Sequence, residues 1–281
     1  RFTNQAQLRY GNAVANSNIA VGEILEVLSA TKTAVQDNYG QNDSITYIIS
    51  IVNAGNTAFN GLTIEDNLGS YTFNTTTLTP LTYVNATIKY YINGILQPTP
   101  AVTPGPPLTI TGISVPASGN TTIVYEAALN EYAPVATESE ITNTATITGG
   151  GITPITVDET VEALSEPILS ITKSVSPVPV TENGTLTYTF LIQNNGNTAA
   201  DITDALTVTD TFDPKLTNLS VSFNGTAWSE PTNYTYDETT GLFSTVPGQI
   251  TVPAATFTQN PTTGSWIVTP GTSTLTVTGT I

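Results

Sequence analysis

Alternating apolar and polar positions run through most of the sequence and predict β-strands. In the first stretch, one phase of the alternation holds Phe2, Asn4, Ala6, Leu8 and Tyr10. In a near-copy at residues 141–148, one phase holds Ile141, Asn143, Ala145 and Ile147, and threonines fill the other. Such period-two alternation is typical of a strand with one buried face. No segment sustains a 3.6-residue period, so the predicted fold class is all-β with little helix.

Two internal repeats organise the chain. Residues 28–33 match residues 169–174. Residues 45–58 match residues 186–199 at the same offset. Each repeat holds short strand-like segments separated by Gly, Pro and Asn turns, which is typical of tandem immunoglobulin-like β-sandwiches. The predicted units are an N-terminal donor segment, a first repeat and a second repeat, at residues 1–26, 27–164 and 165–281.

The second repeat lacks the stretch that closes the first. In the first repeat the alternating residues 141–148 come near the end, whereas the second repeat reaches Ile281 without a counterpart. The counterpart stands at the start of the chain, where Phe2 aligns with Ile141. An incomplete sandwich exposes strand edges that readily pair with other chains. The sequence predicts that residues 1–21 supply the missing element of a second repeat.

Three interpretations of this order remain open. In the first, residues 1–21 complete the second repeat of a neighbouring identical subunit, with Phe2, Asn4, Ala6, Leu8 and Tyr10 as the donor strand. Repeated head to tail, such contacts generate an open filament, for example a pilus, fibre or spore appendage. In the second, the segment folds back onto its own chain. In the third, the chain is a stalk fragment of a larger surface adhesin or S-layer-type protein.

Composition and charge narrow the function classes. The chain of 281 residues has 22 acidic against 6 basic residues and a net charge of −16, so it should repel nucleic acids and anionic membranes. It contains no Cys, Met or His, which removes disulfides, thiolate metal sites and the commonest general base. No apolar run reaches the length of a membrane span. We predict an extracellular, non-enzymatic protein with no cofactor, no metal site and no nucleic-acid partner.

Several short motifs recur in both repeats: Thr-Lys, then Thr-Tyr leading an apolar strand into Asn-x-Gly-Asn-Thr-Ala, then a strand that ends in Asp. With Asn-x-Ala-Thr at residues 143–146, the pattern resembles the immunoglobulin-like repeats catalogued as domain of unknown function eleven, from bacterial and archaeal surface proteins. The resemblance implies a structural role at the cell surface and no enzyme activity, and it supplies no ligand. The permuted order departs from the family pattern. A carbohydrate- or calcium-binding adhesin module would need a pocket that the sequence does not show.

Polar residues recur at positions that the alternation assigns to the interior. Lys32 and Lys173 stand at equivalent positions of the two repeats, each in phase with apolar neighbours. Asp66 and Asp210 are likewise equivalent and in phase with apolar neighbours, and so are Asn143 and Asn4. Buried Lys, Asp and Asn side chains are costly unless they satisfy one another. The sequence therefore predicts one polar cluster per sandwich.

One arrangement uses all three side chains, namely an isopeptide bond like those that staple immunoglobulin-like domains of bacterial adhesins and pili. Burial keeps the lysine amine neutral for attack on the asparagine amide, and the carboxyl group assists. The sequence predicts this autocatalytic bond between Lys32 and Asn143 with Asp66 assisting. The alternative is a buried Lys–Asp ion pair with the asparagine hydrogen-bonded beside it.

The same chemistry is predicted between copies of the chain. There Lys173 of one copy would join Asn4 of the next, with Asp210 assisting. Such a bond would make the filament covalent.

Overall fold

The computed structural model describes residues 2–22 and 27–281. Arg1 and residues 23–26, which fall in the predicted donor segment, lie outside the described residues. The N-terminal strands are β1 (Phe2–Asn4), β2 (Gln7–Tyr10), β3 (Ala13–Asn16) and β4 (Ala20–Gly22). The first repeat holds β5 (Leu28–Ala34), β6 (Asn38–Tyr39), β7 (Ser44–Asn53), β8 (Phe59–Asp66), β9 (Tyr71–Phe73), β10 (Thr76–Leu78), β11 (Leu81–Tyr83), β12 (Lys89–Ile92), β13 (Ile95–Gln97), β14 (Ala101–Thr103), β15 (Leu108–Val115), β16 (Gly119–Leu129), β17 (Glu140–Gly149) and β18 (Ile155–Ala163). The second repeat holds β19 (Leu169–Ser176), β20 (Thr185–Asn194), β21 (Thr209–Thr211), β22 (Thr217–Phe223), β23 (Thr226–Trp228), β24 (Tyr234–Asp237), β25 (Leu242–Thr245), β26 (Thr256–Gln259), β27 (Trp266–Thr269) and β28 (Gly271–Thr280), with a 3-10 turn at Ile202–Asp204.

Two β-sheets enclose one core in the first repeat. One sheet has the strand order β13-β12-β16-β7-β5, with β11 also paired to β16, and the other has the order β14-β15-β8-β17-β18-β6. Along β7 the fully buried residues Ile45, Tyr47, Ile49 and Ile51 alternate with more exposed ones. Each large apolar side chain buried in this way contributes about 1.5 to 3 kcal/mol. The predicted all-β sandwich class is confirmed.

The β17–β18 hairpin closes the first sandwich. On one side β17 pairs antiparallel with β8, which places Ala145 opposite Asp66. On its other side β17 pairs with β18 over the whole length of the hairpin. Strand β18 in turn lies against β5 of the opposite sheet. The hairpin therefore covers the gap between the two sheets along β5.

The second repeat has the same central strands with fewer partners. Its main sheet has the order β19-β20-β28-β22-β23 and faces a smaller sheet of order β21-β25-β24, while β26 and β27 form a separate hairpin. By sequence alignment β19, β20 and β28 correspond to β5, β7 and β16, and β21 corresponds to the end of β8. Within the described residues β21 pairs only with β25. Its other edge corresponds to the edge of β8 that β17 occupies in the first repeat.

Residues 2–22 fold into a β-hairpin that stands apart from both sandwiches. Strand β1 pairs with β4, so that Phe2 lies opposite Gly22, and β2 pairs with β3, so that Leu8 lies opposite Ala15. In the part of the chain that the structure describes, no hydrogen bond joins this hairpin to either repeat. The N-terminal segment is thus a two-stranded unit rather than a single strand.

This hairpin resembles β17–β18, with one interruption: its register shifts by one residue between the pair Phe2–Gly22 and the pair Leu8–Ala15, whereas β17–β18 pairs without a shift. Ile141 and Ile147, the counterparts of Phe2 and Leu8, likewise pair with the second arm of their hairpin. The N-terminal hairpin therefore has two arms, as β17–β18 does, and within the described residues the second repeat shows no hairpin at the corresponding edge of β21.

The two repeats contact each other directly at their join. The Asn197 Nδ2 atom donates to the carbonyl oxygens of Val135 at 3.0 Å and Leu164 at 2.9 Å. The hairpin of β26 and β27 also reaches the first repeat, where the backbone N–H of Trp266 donates to the carbonyl of Glu131 at 2.8 Å. These hydrogen bonds hold the repeats together beyond the short covalent join.

The join packs most tightly at Gly196. A Cβ atom added there would lie 2.1 Å from the carbonyl oxygen of Glu166 and 2.5 Å from the nitrogen of Ile168. Gly196→Ala should force these backbone segments apart and lower the free energy of unfolding of the second repeat by about 1 to 3 kcal/mol. Urea denaturation followed by tryptophan fluorescence measures this loss, because Trp228 and Trp266 both lie in the second repeat.

Gly105→Ala is the matched control, because a Cβ atom there would meet only the carbonyl oxygen of Pro107, at 3.8 Å. Its effect should stay within about 0.5 kcal/mol. Equal losses in the two variants would contradict the assignment of Gly196 to a tight backbone contact.

Candidate functional site

Three strands of the first repeat bring Lys32, Asp66 and Asn143 together. Lys32 lies on β5, Asp66 at the end of β8 and Asn143 on β17, and all three side chains are buried. Asp66 and Asn143 are close because β8 and β17 are paired, whereas Lys32 approaches from the opposite sheet. The structure places all three on the inward faces of their strands, and the isopeptide bond itself stays a prediction.

These side chains belong to one hydrogen-bonded network. The Lys32 Nζ atom donates to Oδ2 of Asp66 at 2.5 Å. The Tyr125 hydroxyl donates to the same carboxylate oxygen, and Nδ2 of Asn143 donates to the Tyr125 oxygen at 3.2 Å. The Asn143 Oδ1 atom accepts the backbone N–H of Gly69 at 3.2 Å. The network therefore runs from amine to carboxylate to phenol to amide.

Burial sets the protonation of this network. It lowers the pKa of Lys32 from 10.5 to about 8, against the attraction of Asp66, because a charged amine is poorly solvated in the core. Burial, and after it the Asp66 charge, raise the pKa of Tyr125 well above its usual value. The phenol therefore keeps its proton at neutral pH. An amine with a pKa near 8 is neutral in a substantial fraction of molecules, as a nucleophile must be.

Tyr125 is the member of the network that the sequence did not reveal. It lies on β16 opposite Tyr47 of β7, and their ring centroids are 5.6 Å apart. The Lys32 Nζ atom lies 4.9 Å from the Tyr47 ring centroid. An inward tyrosine between apolar residues looks like ordinary core. A comparison of the two repeats could have pointed to Tyr125, because the second repeat has Val277 at the equivalent position.

The equivalent pair in the second repeat is open to solvent. Lys173 donates to Asp210, but their side chains are 38% and 19% exposed. The side chains of Lys32 and Asp66 are both 0% exposed. The difference follows from the strand that covers the first pair and has no counterpart around the second within the described residues.

Aromatic rings surround Lys173 where no asparagine does. Its Nζ atom lies 4.2 Å from the ring centroid of Tyr188 and 5.3 Å from that of Phe212. These two rings stack with centroids 4.9 Å apart. Asn4, the predicted third member, lies on the separate N-terminal hairpin, and the structure does not bring it to this pair. The Lys173–Asn4 bond stays a prediction.

An apolar groove lies beside the exposed pair of the second repeat. Its lining includes Leu169, Ile171, Leu206, Val208 and Ile250. Ile171 is 52% exposed, whereas its first-repeat counterpart Ala30 is half-buried. The groove therefore occupies the place that the β17–β18 hairpin fills in the first repeat.

The N-terminal hairpin exposes matching apolar side chains. Phe2, Leu8 and Tyr10 are 55%, 65% and 63% exposed, and Asn4 and Ala6 are exposed as well. These are the five residues predicted as the donor strand. An exposed apolar strand of this kind readily pairs with another edge.

Comparisons with known proteins found only distant likenesses. No family model and no curated protein matches the chain. Among solved structures it is similar to BcpA, the major pilin subunit of Bacillus cereus, with 13% identity, a TM-score of 0.36 and coverage of 98% of this chain and 74% of that one. It is similar to the pilus backbone RrgB from Streptococcus pneumoniae, with 12% identity, a TM-score of 0.36 and coverage of 86% and 55%. A collagen-binding domain from a Staphylococcus aureus adhesin shows 14% identity, a TM-score of 0.31 and coverage of 50% and 99%.

Two further features of the described residues concern membranes and metals. Across residues 2–22 and 27–281, no helix has the length and apolar character needed to cross a bilayer. Over the same ranges, no three acidic side chains lie close enough together to hold a metal ion.

The buried lysine predicts a pH dependence of stability. In Asn143→Ala, which cannot form the isopeptide bond, the first repeat should gain stability as the pH rises from 8 to 10. The pKa of Lys32 is about 8 in the folded state against 10.5 for a free lysine, so the unfolded chain binds more protons in this window and unfolding becomes harder. The full difference corresponds to about 3 kcal/mol. Above pH 10 the trend should reverse, because burial raises the pKa of Tyr125 and the unfolded tyrosine ionises first.

Urea titrations at several pH values measure this trend. In the control, Lys32→Met and Asp66→Asn are added to Asn143→Ala, which removes both charges while Asn keeps an acceptor for the backbone N–H of Leu68 that Asp66 binds at 2.9 Å. The control should show no rise between pH 8 and 10. If stability rises equally in both variants, the pH dependence comes from groups other than Lys32 and Asp66.

Proposed function

We propose that the chain is a structural, non-enzymatic subunit of an extracellular filament, in which hairpin 2–22 of one copy completes the second repeat of the next. One observation carries the proposal. The exposed hairpin is a two-armed unit like β17–β18, and within the described residues β21 pairs on one side only, at the place where β8 of the first repeat also pairs with β17. Docking would bury apolar surface on both partners and satisfy the edge of β21.

The symmetry of this contact favours a filament of identical subunits. The donor hairpin and the acceptor groove are different surfaces of the same chain, so the contact is heterologous. A heterologous contact that does not close into a ring continues head to tail without limit. The acidic, cysteine-free composition supports an extracellular location, and the resemblance of the repeat motifs supports membership of the bacterial and archaeal surface repeats catalogued as domain of unknown function eleven.

The first repeat supplies the docking register. There Ala145 of β17 lies opposite Asp66 of β8. The aligned residues are Ala6 and Asp210, so Ala6 of one copy should lie opposite Asp210 of the next. Side chains alternate across a strand. Phe2, Ala6 and Leu8 then point into the groove.

The alternative function is a stalk fragment of a larger surface adhesin or S-layer-type protein. In that arrangement the hairpin belongs to a preceding repeat of the same polypeptide, and later residues complete the second repeat. Both functions use the same hairpin geometry. Only the filament requires separate copies to bind each other.

A disulfide between copies tests the filament and its register. The register places Gln7 of one copy opposite Thr209 of the next, on the outer face. Gln7→Cys with Thr209→Cys should give a ladder of linked copies on a non-reducing gel, because paired antiparallel residues have Cα atoms about 4.5 to 5.5 Å apart, within disulfide range. The chain has no cysteine of its own, so no native thiol competes.

Ala6→Cys with Thr209→Cys is the matched control, because Ala6 points to the other face of the strand and should give little ladder. Deleting residues 1–22 from the otherwise unmodified chain should leave monomers in size-exclusion chromatography. Suppose instead that the full chain stays monomeric at high concentration and is no more stable than the deleted chain. The filament proposal would then be wrong, and the interpretation of the chain as a stalk fragment would be favoured.

We also propose that an isopeptide bond joins Lys32 to Asn143 in the first repeat. The buried network supports it, since Asp66 contacts the lysine amine directly and the asparagine amide through one hydroxyl. The lysine nitrogen becomes the nitrogen of the new amide, and the asparagine nitrogen leaves as ammonia. The same bond between copies would join Lys173 to Asn4.

Intact-mass measurement tests the first-repeat bond. The full chain should lack the mass of one ammonia, and Asn143→Ala should show its full calculated mass. Lys89→Met is the control, because Lys89 is exposed on β12 and its loss should leave the ammonia deficit unchanged. If the unmodified chain shows its full calculated mass, the isopeptide bond does not form, and Lys32 and Asp66 make only an ion pair. Copies joined through Lys173 would resist separation in hot detergent.

A further inference from the structure

We infer that Tyr125 is the proton relay of the reaction between Lys32 and Asn143, so that the first repeat holds a complete bond-forming site and the second repeat an incomplete one. The inference rests on the proposed isopeptide bond and adds a catalytic residue to it. It comes from the contacts of the Tyr125 hydroxyl, which touches both the carboxylate and the nitrogen that must leave.

The contacts form a continuous route for protons. Lys32 Nζ donates to Oδ2 of Asp66 at 2.5 Å. The Tyr125 hydroxyl donates to the same oxygen and accepts from Nδ2 of Asn143 at 3.2 Å. No other hydrogen bond among the described residues links Asp66 to the Asn143 amide. A proton that leaves the lysine can therefore reach the asparagine nitrogen by way of one carboxyl and one hydroxyl group.

The step balances without any further reactant. Lys32 gives a proton to Asp66 and its amine attacks the side-chain carbonyl carbon of Asn143. As the tetrahedral intermediate collapses, the C–Nδ2 bond breaks, and Tyr125 passes a proton to Nδ2 while it takes one from Asp66. A second proton from the lysine nitrogen follows the same route, so that an amide and an ammonium ion remain. Asp66 and Tyr125 end in the states in which they began.

The rest of the site suits the same intermediate. The Asn143 Oδ1 atom accepts the backbone N–H of Gly69 at 3.2 Å. This donor points at the oxygen on which negative charge develops during attack, as in an oxyanion hole. The Tyr125 side chain is completely buried, so bulk water does not offer a competing proton path.

The second repeat keeps the aromatic ring and loses the hydroxyl. Tyr125 is replaced by Val277, and Leu68 is replaced by Phe212. The ring of Phe212 stacks on Tyr188 with centroids 4.9 Å apart, much as Tyr125 stacks on its own partner tyrosine. This exchange of a large and a small residue preserves packing. It leaves Asp210 without a phenol to connect it to an incoming amide.

Two consequences follow for the proposed bonds. The bond inside the first repeat should form soon after folding. The bond from Lys173 to Asn4 between copies should form much more slowly, because its site lacks the relay. General acid–base groups typically accelerate such steps by about 100-fold or more. The filament should therefore hold its subunits at first by strand pairing alone.

Tyr125→Phe in the full-length chain tests the relay. Freshly translated protein is sampled over time, and intact mass reports the loss of ammonia. The variant should lose ammonia about 100-fold more slowly than the unmodified chain, while near-UV circular dichroism shows the same folded core. Tyr39→Phe is the matched control: it also removes the hydroxyl of a buried tyrosine, which donates to the carbonyl oxygen of Pro134 at 2.7 Å and makes no hydrogen bond to Lys32, Asp66 or Asn143. This control should lose ammonia at the unmodified rate.

The outcomes separate the relay from the bond itself. Equal rates for Tyr125→Phe and the unmodified chain would overturn the relay and leave the isopeptide bond standing. No ammonia loss from the unmodified chain would overturn both. Should Tyr125→Phe fail to fold, Val277→Tyr with Phe212→Leu supplies the hydroxyl to the second repeat. That variant should speed the appearance of detergent-resistant ladders, and an unchanged rate would count against the relay.

Discussion

The pairing of β17 with β8 is the interaction on which the first repeat depends. It completes one sheet, positions β18 over β5, and brings Asn143 to the Tyr125 hydroxyl, which in turn donates to the carboxylate of Asp66. Burial of a Lys–Asp pair is costly, and it is tolerated only where further hydrogen bonds satisfy the charged groups. The hairpin contributes the burial, while the Tyr125 hydroxyl and the backbone N–H of Leu68 supply the further hydrogen bonds to Asp66. One strand pairing therefore decides the packing and the chemistry of the site together.

The second repeat shows the same architecture without that pairing. Lys173 and Asp210 still meet, yet they remain open to solvent, and an apolar groove lies beside them. The N-terminal hairpin resembles the β17–β18 hairpin and exposes Phe2, Leu8 and Tyr10. In the proposed filament the hairpin and the groove are different surfaces of the same chain, so the contact between copies would have a direction.

A bond from Lys32 to Asn143 would connect the first strand of the repeat to its closing hairpin. The two residues are far apart in sequence, and cross-links that close long loops restrict the unfolded chain most. In a filament, tension on a subunit would pass through this link before it could peel the hairpin away. In the proposed filament the hairpin of the second repeat would come from another molecule, and main-chain pairing would hold it while its own link forms slowly. Because the chain has no cysteine, it cannot form a disulfide, and a side-chain amide is a covalent link that its residues allow.

The sequence by itself determined the local properties of the chain. Period-two alternation predicted strands, the repeat predicted two sandwiches, and the phase of each strand placed Lys32, Asp66 and Asn143 on inward faces. The tertiary structure decided which strands pair and which side chains meet, because alternation of apolar and polar residues does not specify either. The second arm of the N-terminal hairpin alternates weakly, so its pairing emerged only from the backbone. Tyr125 looked like ordinary core, because alternation reports which way a side chain points and not which polar group it meets across the sandwich. These side-chain contacts join strands that are distant along the chain, and they form only when the two sheets pack against each other.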